Sequence, residues 1–267
     1  MTPPSSLKAR RFRSAAVLAA LLCLPATSLA SAEVTQQGTL RVSFEGRIAP
    51  HQLPRQGKAP VAVTLSGDIK TTDGQDPPQL REISLAINRN GRLDYKGLPR
   101  CNFHQIQPAS TVEARESCKR SLVGSGIFKA NVALPEQSPF PSNGTILAFN
   151  GNLHGKPVIY AHIYGTEPLP TSFVLPFKIK RGSGAYATTL VARLPQVAAE
   201  WGFVSGVSLT LSRNFTYRGA RHSYLSAGCP APKGFPGATF AFAEASFGFE
   251  DGKTLSSTLT RSCGVKG

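Results

Sequence analysis

Between Gly144 and Arg193 the chain repeats one pattern: a short run of alternating apolar residues, then a Gly, Pro or Asn that ends it. This spacing constrains the fold more than any other feature. In Val158–Tyr164, Ile159, Ala161 and Ile163 fall on one face, and Val158, Tyr160, His162 and Tyr164 on the other. Successive side chains of a strand point to opposite faces, so a period of two predicts a half-buried strand and not a helix. Thr171–Lys180 is rich in β-branched and aromatic residues but contains Pro176. Proline cannot donate to a ladder, which predicts an edge strand or a bulge there. Gly182-Ser-Gly184 predicts a turn into a further run, Ala185–Arg193. Runs joined by so few residues must pair antiparallel, because parallel strands need crossovers of a dozen residues or more.

The alternation recurs along the chain, with Leu40, Val42 and Phe44, then Val61, Val63 and Leu65, then Ile83, Leu85 and Ile87. Ile127–Leu134, Val207–Leu211, the Phe240–Phe249 run around Glu244 and Thr254–Cys263 continue it. Asn90-Gly91 is a hairpin signal and predicts that Arg92–Tyr95 folds back. Two segments depart from the pattern. Ser110-Thr-Val-Glu113 matches a capping box and predicts about three turns of helix before Gly124. Pro195 and Gly202 bracket a second short helix, with Trp201 packed beneath the sheet. About ten to twelve short strands with two short helices predict an all-β fold, an antiparallel β-sandwich of jelly-roll type or a barrel. No repeat or flexible linker divides residues 31–267, which read as a single domain.

Residues 1–30 read as a signal peptide outside that domain. Lys8, Arg10, Arg11 and Arg13 form a basic n-region, and Ser14–Leu24 an apolar core too short to span a bilayer, which needs about 20 residues. Cleavage is expected at Ala30 or Ala32, each of which ends a small-x-small triplet. Leu22 is too bulky to precede a lipid-modified Cys23. No later stretch is apolar enough for a membrane helix, so none is expected once the signal is removed. Loss of the four n-region cations lowers the net charge from +15 to +11. That excess favours anionic partners but says nothing of fold.

Four cysteines then remain, Cys101, Cys118, Cys229 and Cys263. An even count in an exported chain predicts two disulfides, for which three connectivities exist. The sequence-local pairing, Cys101–Cys118 and Cys229–Cys263, is the one expected. It closes loops worth roughly 3 and 4 kcal/mol in the chain-entropy model. A metal site at Cys101 and His104 lacks a second close pair of ligands. A nucleophilic Cys118 competes with the disulfide and yields to it in an oxidising compartment.

The chain has no Gly-x-Ser-x-Gly elbow, phosphate loop, His-Glu-x-x-His or dinucleotide fingerprint, and no cofactor or metal is expected. His162, between Tyr160 and Tyr164, is the most promising histidine. The main concentration of recognition chemistry is Arg213–Tyr224, where Arg213, Tyr217, Arg218, Arg221, His222 and Tyr224 mix forked cations with flat rings and no acid. Arginine suits bidentate contact with phosphate or carboxylate. The competing reading is a solvated hairpin centred on Arg218-Gly219.

Several strings occur together: Leu98-Pro-Arg-Cys101, Leu122-Val-Gly-Ser-Gly126, Leu147-Ala-Phe-Asn-Gly151, His162–Pro170 and Gly228–Gly237. On these the chain resembles a group of uncharacterised exported proteins of high-GC actinobacteria. The resemblance implies export and paired cysteines and supplies no activity. The expected function is therefore that of a secreted or extracytoplasmic, non-catalytic protein associated with the cell envelope. It would bind an anionic envelope polymer, a carbohydrate or a small ligand, and not nucleic acid. The rival is an exported hydrolase acting on envelope polymer or lipid.

Overall fold

The computed structural model describes residues 32–195 and 202–266. The expected signal peptide, the start of each expected cleavage triplet and the helix expected after Pro195, with Trp201, lie outside the described residues. Eighteen strands are described, more than the roughly ten to twelve expected from the sequence. In the first half they are β1 (Glu33–Gln37), β2 (Leu40–Ala49), β3 (Gln52–Leu53), β4 (Ala59–Pro60), β5 (Ala62–Thr71), β6 (Leu80–Asn88), β7 (Gly91–Leu93), β8 (Leu122–Val132) and β9 (Phe140–Leu153). The second half has β10 (Lys156–Gly165), β11 (Thr171–Arg181), β12 (Tyr186–Arg193), β13 (Gly202–Leu211), β14 (Asn214–Tyr217), β15 (Ala220–Ser223), β16 (Leu225–Ala227), β17 (Gly237–Phe249) and β18 (Thr254–Val265). The fold is all-β.

Thirteen of these strands form one curled sheet in the order β1-β2-β5-β13-β8-β9-β10-β11-β12-β6-β17-β18-β3. The curl brings its two sides together. Thr35 Oγ1 donates to the carbonyl of Ser256 at 2.9 Å, and Arg261 Nε to that of Gly46 at 2.6 Å. All pairings in the sheet are antiparallel except β18 with β3. One end of the curl is covered by a second small sheet, β4-β16-β7. The Cys229–Cys263 disulfide, Cα–Cα 5.8 Å, ties the segment after β16 to β18 at that same end.

The alternation of the sequence maps onto an inside and an outside. Leu40, Val42, Phe44 and Ile48 of β2 point inward and are buried, and Ile159, Ala161 and Ile163 of β10 are buried with them inside the curl. The other face of β9 and β10 is buried as well. Leu147, Phe149, Val158 and Tyr160 pack beneath a segment containing Cys101, Ile106, Ala114 and Cys118. That segment holds helix α1 (Thr111–Ser117), opened by the expected capping box: Ser110 Oγ accepts from Glu113 N and Glu113 Oε2 from Ser110 N. The helix is seven residues, shorter than expected, because the chain tightens into a 3-10 turn at Lys119–Ser121. Cys101–Cys118, Cα–Cα 5.5 Å, pins the helix to the loop before it. The buried amide of Asn150 donates to the carbonyls of Leu98 and Pro99, fixing that loop on β9.

Two local expectations need correction. β11 is not at the sheet edge but lies between β10 and β12. Its ladder to β12 covers only Lys178–Arg181, so Pro176 faces a gap where no donor is required. Asn90-Gly91 does not make a two-residue hairpin. Neither residue has positive φ, which such a turn demands, and Asn88 Oδ1 instead accepts from the backbone of Asn90. β7 leaves β6 and pairs with β16 in the covering sheet.

Candidate functional site

Arg213–Tyr224 folds as the expected hairpin. β14 and β15 pair in the register Phe215↔His222, Thr216↔Arg221 and Tyr217↔Ala220. Arg218 and Gly219 form the turn with φ of 49° and 77°. Positive φ at both central residues is the mirror-image turn whose twist matches a hairpin.

The register sorts the side chains onto two faces. Phe215, Tyr217 and His222 share the inner one, where the Phe215 and His222 rings stack at 5.5 Å and Tyr217 meets His222 edge-on at 6.0 Å. Tyr217 lies flat on Gly97, leaving no room for a Cβ, which would stand 2.2 Å from the ring. Asp94 anchors the same face, its Oδ2 3.7 Å from both His222 Nδ1 and an Arg92 guanidinium nitrogen. Arg221 and Arg218 are on the exposed side, with Arg218 Cζ 5.2 Å from the Tyr217 ring centroid. Arg92 of the covering sheet has a second cation near it, Lys58. Lys58 Nζ donates to the carbonyls of Arg89 and Asn90, and burial, then the charge of Arg92, push its ammonium below the usual range.

Two of the seven residues expected at a binding site are placed elsewhere, and a third, Arg213, is drawn into the base of the hairpin. Tyr224 is fully buried in the main core, and its backbone N donates to Arg213 O at 2.7 Å. It faces inward because a non-alternating step between β15 and β16 returns the chain to the covering sheet. Burial pushes its phenol well above the ordinary range, and its hydroxyl has no hydrogen-bond partner. Arg213 is half-buried with an unpartnered Nε. His162 is fully buried under the α1 segment, its Nε2–H donating to Ala109 O at 2.9 Å while Nδ1 has no partner. Burial pushes its imidazole below the usual range, outweighing that hydrogen bond. The structure thus brings together Tyr217, Arg218, Arg221 and His222, and adds Arg92, Asp94 and Gly97, which sequence reasoning missed. Asp94 and Gly97 sit over a hundred positions upstream of the hairpin, and only the glycine's lack of a side chain hints at a close approach.

No group of three or more metal-ligating side chains occurs among the described residues. No helix among them is long and apolar enough to cross a membrane. No protein-family model, curated protein or solved structure matches the chain.

Proposed function

We propose that this is a non-catalytic, extracytoplasmic binding protein that engages an anionic polymer of the cell envelope through the β14–β15 hairpin. Two disulfides are those of a chain that folds in an oxidising compartment. Export through residues 1–30 and kinship with the exported actinobacterial proteins it resembles belong to the same reading. The observation that carries it is the hairpin itself. Arg218 and Arg221 are exposed on a hairpin whose other face is held by Tyr217 on Gly97, with the cations Arg92 and Lys58 beyond Asp94. A turn already fixed in place spares an anion the cost of ordering its backbone, leaving only the side-chain ordering of the arginines. An approaching phosphate or carboxylate also relieves repulsion among neighbouring cations.

The hydrolase reading needs a histidine hydrogen-bonded to a carboxylate or serine. His162 bonds a backbone carbonyl, and 3.7 Å from His222 to Asp94 exceeds hydrogen-bonding reach.

The test is sedimentation with isolated bacterial envelopes across a salt series. Replacing Arg218 and Arg221 together by Ala is expected to weaken binding roughly two- to thirtyfold at low salt, from about 0.2–1 kcal/mol per exposed contact. The difference is expected to close as salt rises. Equal binding of both proteins at every salt concentration would remove the hairpin from the partner surface.

A further inference from the structure

The interior of the curl is not filled. A cavity of about 150 Å³ lies among side chains of β2, β5, β13, β8, β9, β10, β11, β12, β6 and β17, away from the basic hairpin. Its walls are aliphatic and phenyl groups such as Phe44, Ile69, Ile163, Leu175 and Phe247, and Ser66 is the sole residue with a polar side chain among them. The residue pattern explains why the space exists. On β5 the inward positions run Leu65, Gly67, Ile69, and on β10 Ile159, Ala161, Ile163, with a small residue between two large ones in each. On β17 Ala245 precedes Phe247 at the next inward position. All three small residues border the same cavity. A Cβ on Gly67 would meet one atom, Ser43 O at 3.4 Å, and otherwise open space.

We propose that this cavity is a binding site for a single aliphatic chain, the tail of a fatty acid or lipid. Water gains little there, since a buried water needs two to four polar partners, and an apolar cavity of about this volume stays dry yet takes up apolar molecules. A peptide would bring in backbone N–H and C=O groups that the walls cannot satisfy. An alkyl chain brings none. The cavity reaches Leu80, Leu194 and Val204, at the strand ends opposite the covering sheet. A volume that takes up a benzene-sized molecule holds the terminal part of such a chain, so its remaining methylenes and polar head group would extend past that end. The other end is occupied by Leu93, Leu225 and Phe242 around a separate void of about 50 Å³.

The probe is laurate, titrated calorimetrically into the full chain at two temperatures. Saturable one-to-one uptake with a negative heat-capacity change is expected, the mark of apolar surface leaving water. Ala161→Phe, which puts a ring into the cavity, is expected to weaken laurate at least about tenfold while retaining the β-sheet circular dichroism and the envelope binding of the parent. Gly67→Leu fills the same space from the opposite wall and serves if the first variant does not fold. The Arg218/Arg221 double Ala variant is expected to bind laurate as the parent does, which separates failure of this site from failure of the hairpin. No uptake by the parent, non-saturable adsorption, or undiminished uptake by a folded filled variant would overturn the proposal.

Discussion

Tyr224 and His162 each carry a buried polar atom without a partner, and each has a measurable consequence. The Tyr224 hydroxyl is desolvated and unpaired, so Tyr224→Phe removes a penalty and leaves the ring packing intact. It is expected to raise stability by about 1 kcal/mol. Tyr224→Ala leaves a void and is expected to cost about 3–5 kcal/mol. Denaturant unfolding distinguishes these, and a destabilised Phe variant would show that the hydroxyl has a partner. His162 is held neutral by burial, with its folded pKa below the unfolded value of about 6.5. The unfolded chain therefore binds the extra proton first as pH falls. Stability is expected to decline from about pH 7 downward until the folded pKa is passed. His162→Gln is expected to flatten that decline in unfolding curves taken from pH 7.5 to 5. An unchanged slope would assign the decline to other groups. Both residues were read as ligand contacts because their neighbours are Tyr and Arg. Sequence adjacency does not report which face of the sheet a segment later covers.

The β14–β15 hairpin depends on a contact outside itself. Gly97 has φ of 79°, and its missing side chain is the space Tyr217 occupies. Gly97→Ala combines a left-handed backbone with an overlap against the ring, and is expected to cost about 1–3 kcal/mol. Because the loss falls on the hairpin, trypsin should cut at Arg218 and Arg221 faster in the variant than in the parent. Equal cleavage rates would show that the ring moves aside without loosening the turn. The hairpin was legible in the sequence because Arg218 and Gly219 are adjacent, and so was α1, whose Ser110 and Glu113 lie within one turn. The support of each was not legible. Asn88 shows the same limit from the other side: its carbonyl captured Asn90, and a strong local turn signal gave way to pairing with β16. Pro176 was correctly read as a break in a ladder, but the break is on the β12 side alone, over residues 171–177 of an interior strand that stays paired with β10, and not at an edge.

At the scale of the molecule, the fold class followed from period-two alternation, and the disulfide pairing from cysteines that stand 17 and 34 positions apart. Strand order did not, because alternation marks faces and not neighbours. That order has a consequence in time. β13, which begins at Gly202, is inserted between β5, which ends at Thr71, and β8, which ends at Val132. β6 likewise waits for β12 and β17. A chain emerging from its amino end can assemble β1, β2 and β5, and separately β8 to β12, but cannot join them. Until residues 202–211 arrive, two long strands present open hydrogen-bonding edges to any other chain nearby. Pairings this distant along the chain also place the fold among the slow ones. Its vulnerability lies in the interval between synthesis and closure, when a neighbour's strand can take the place meant for its own.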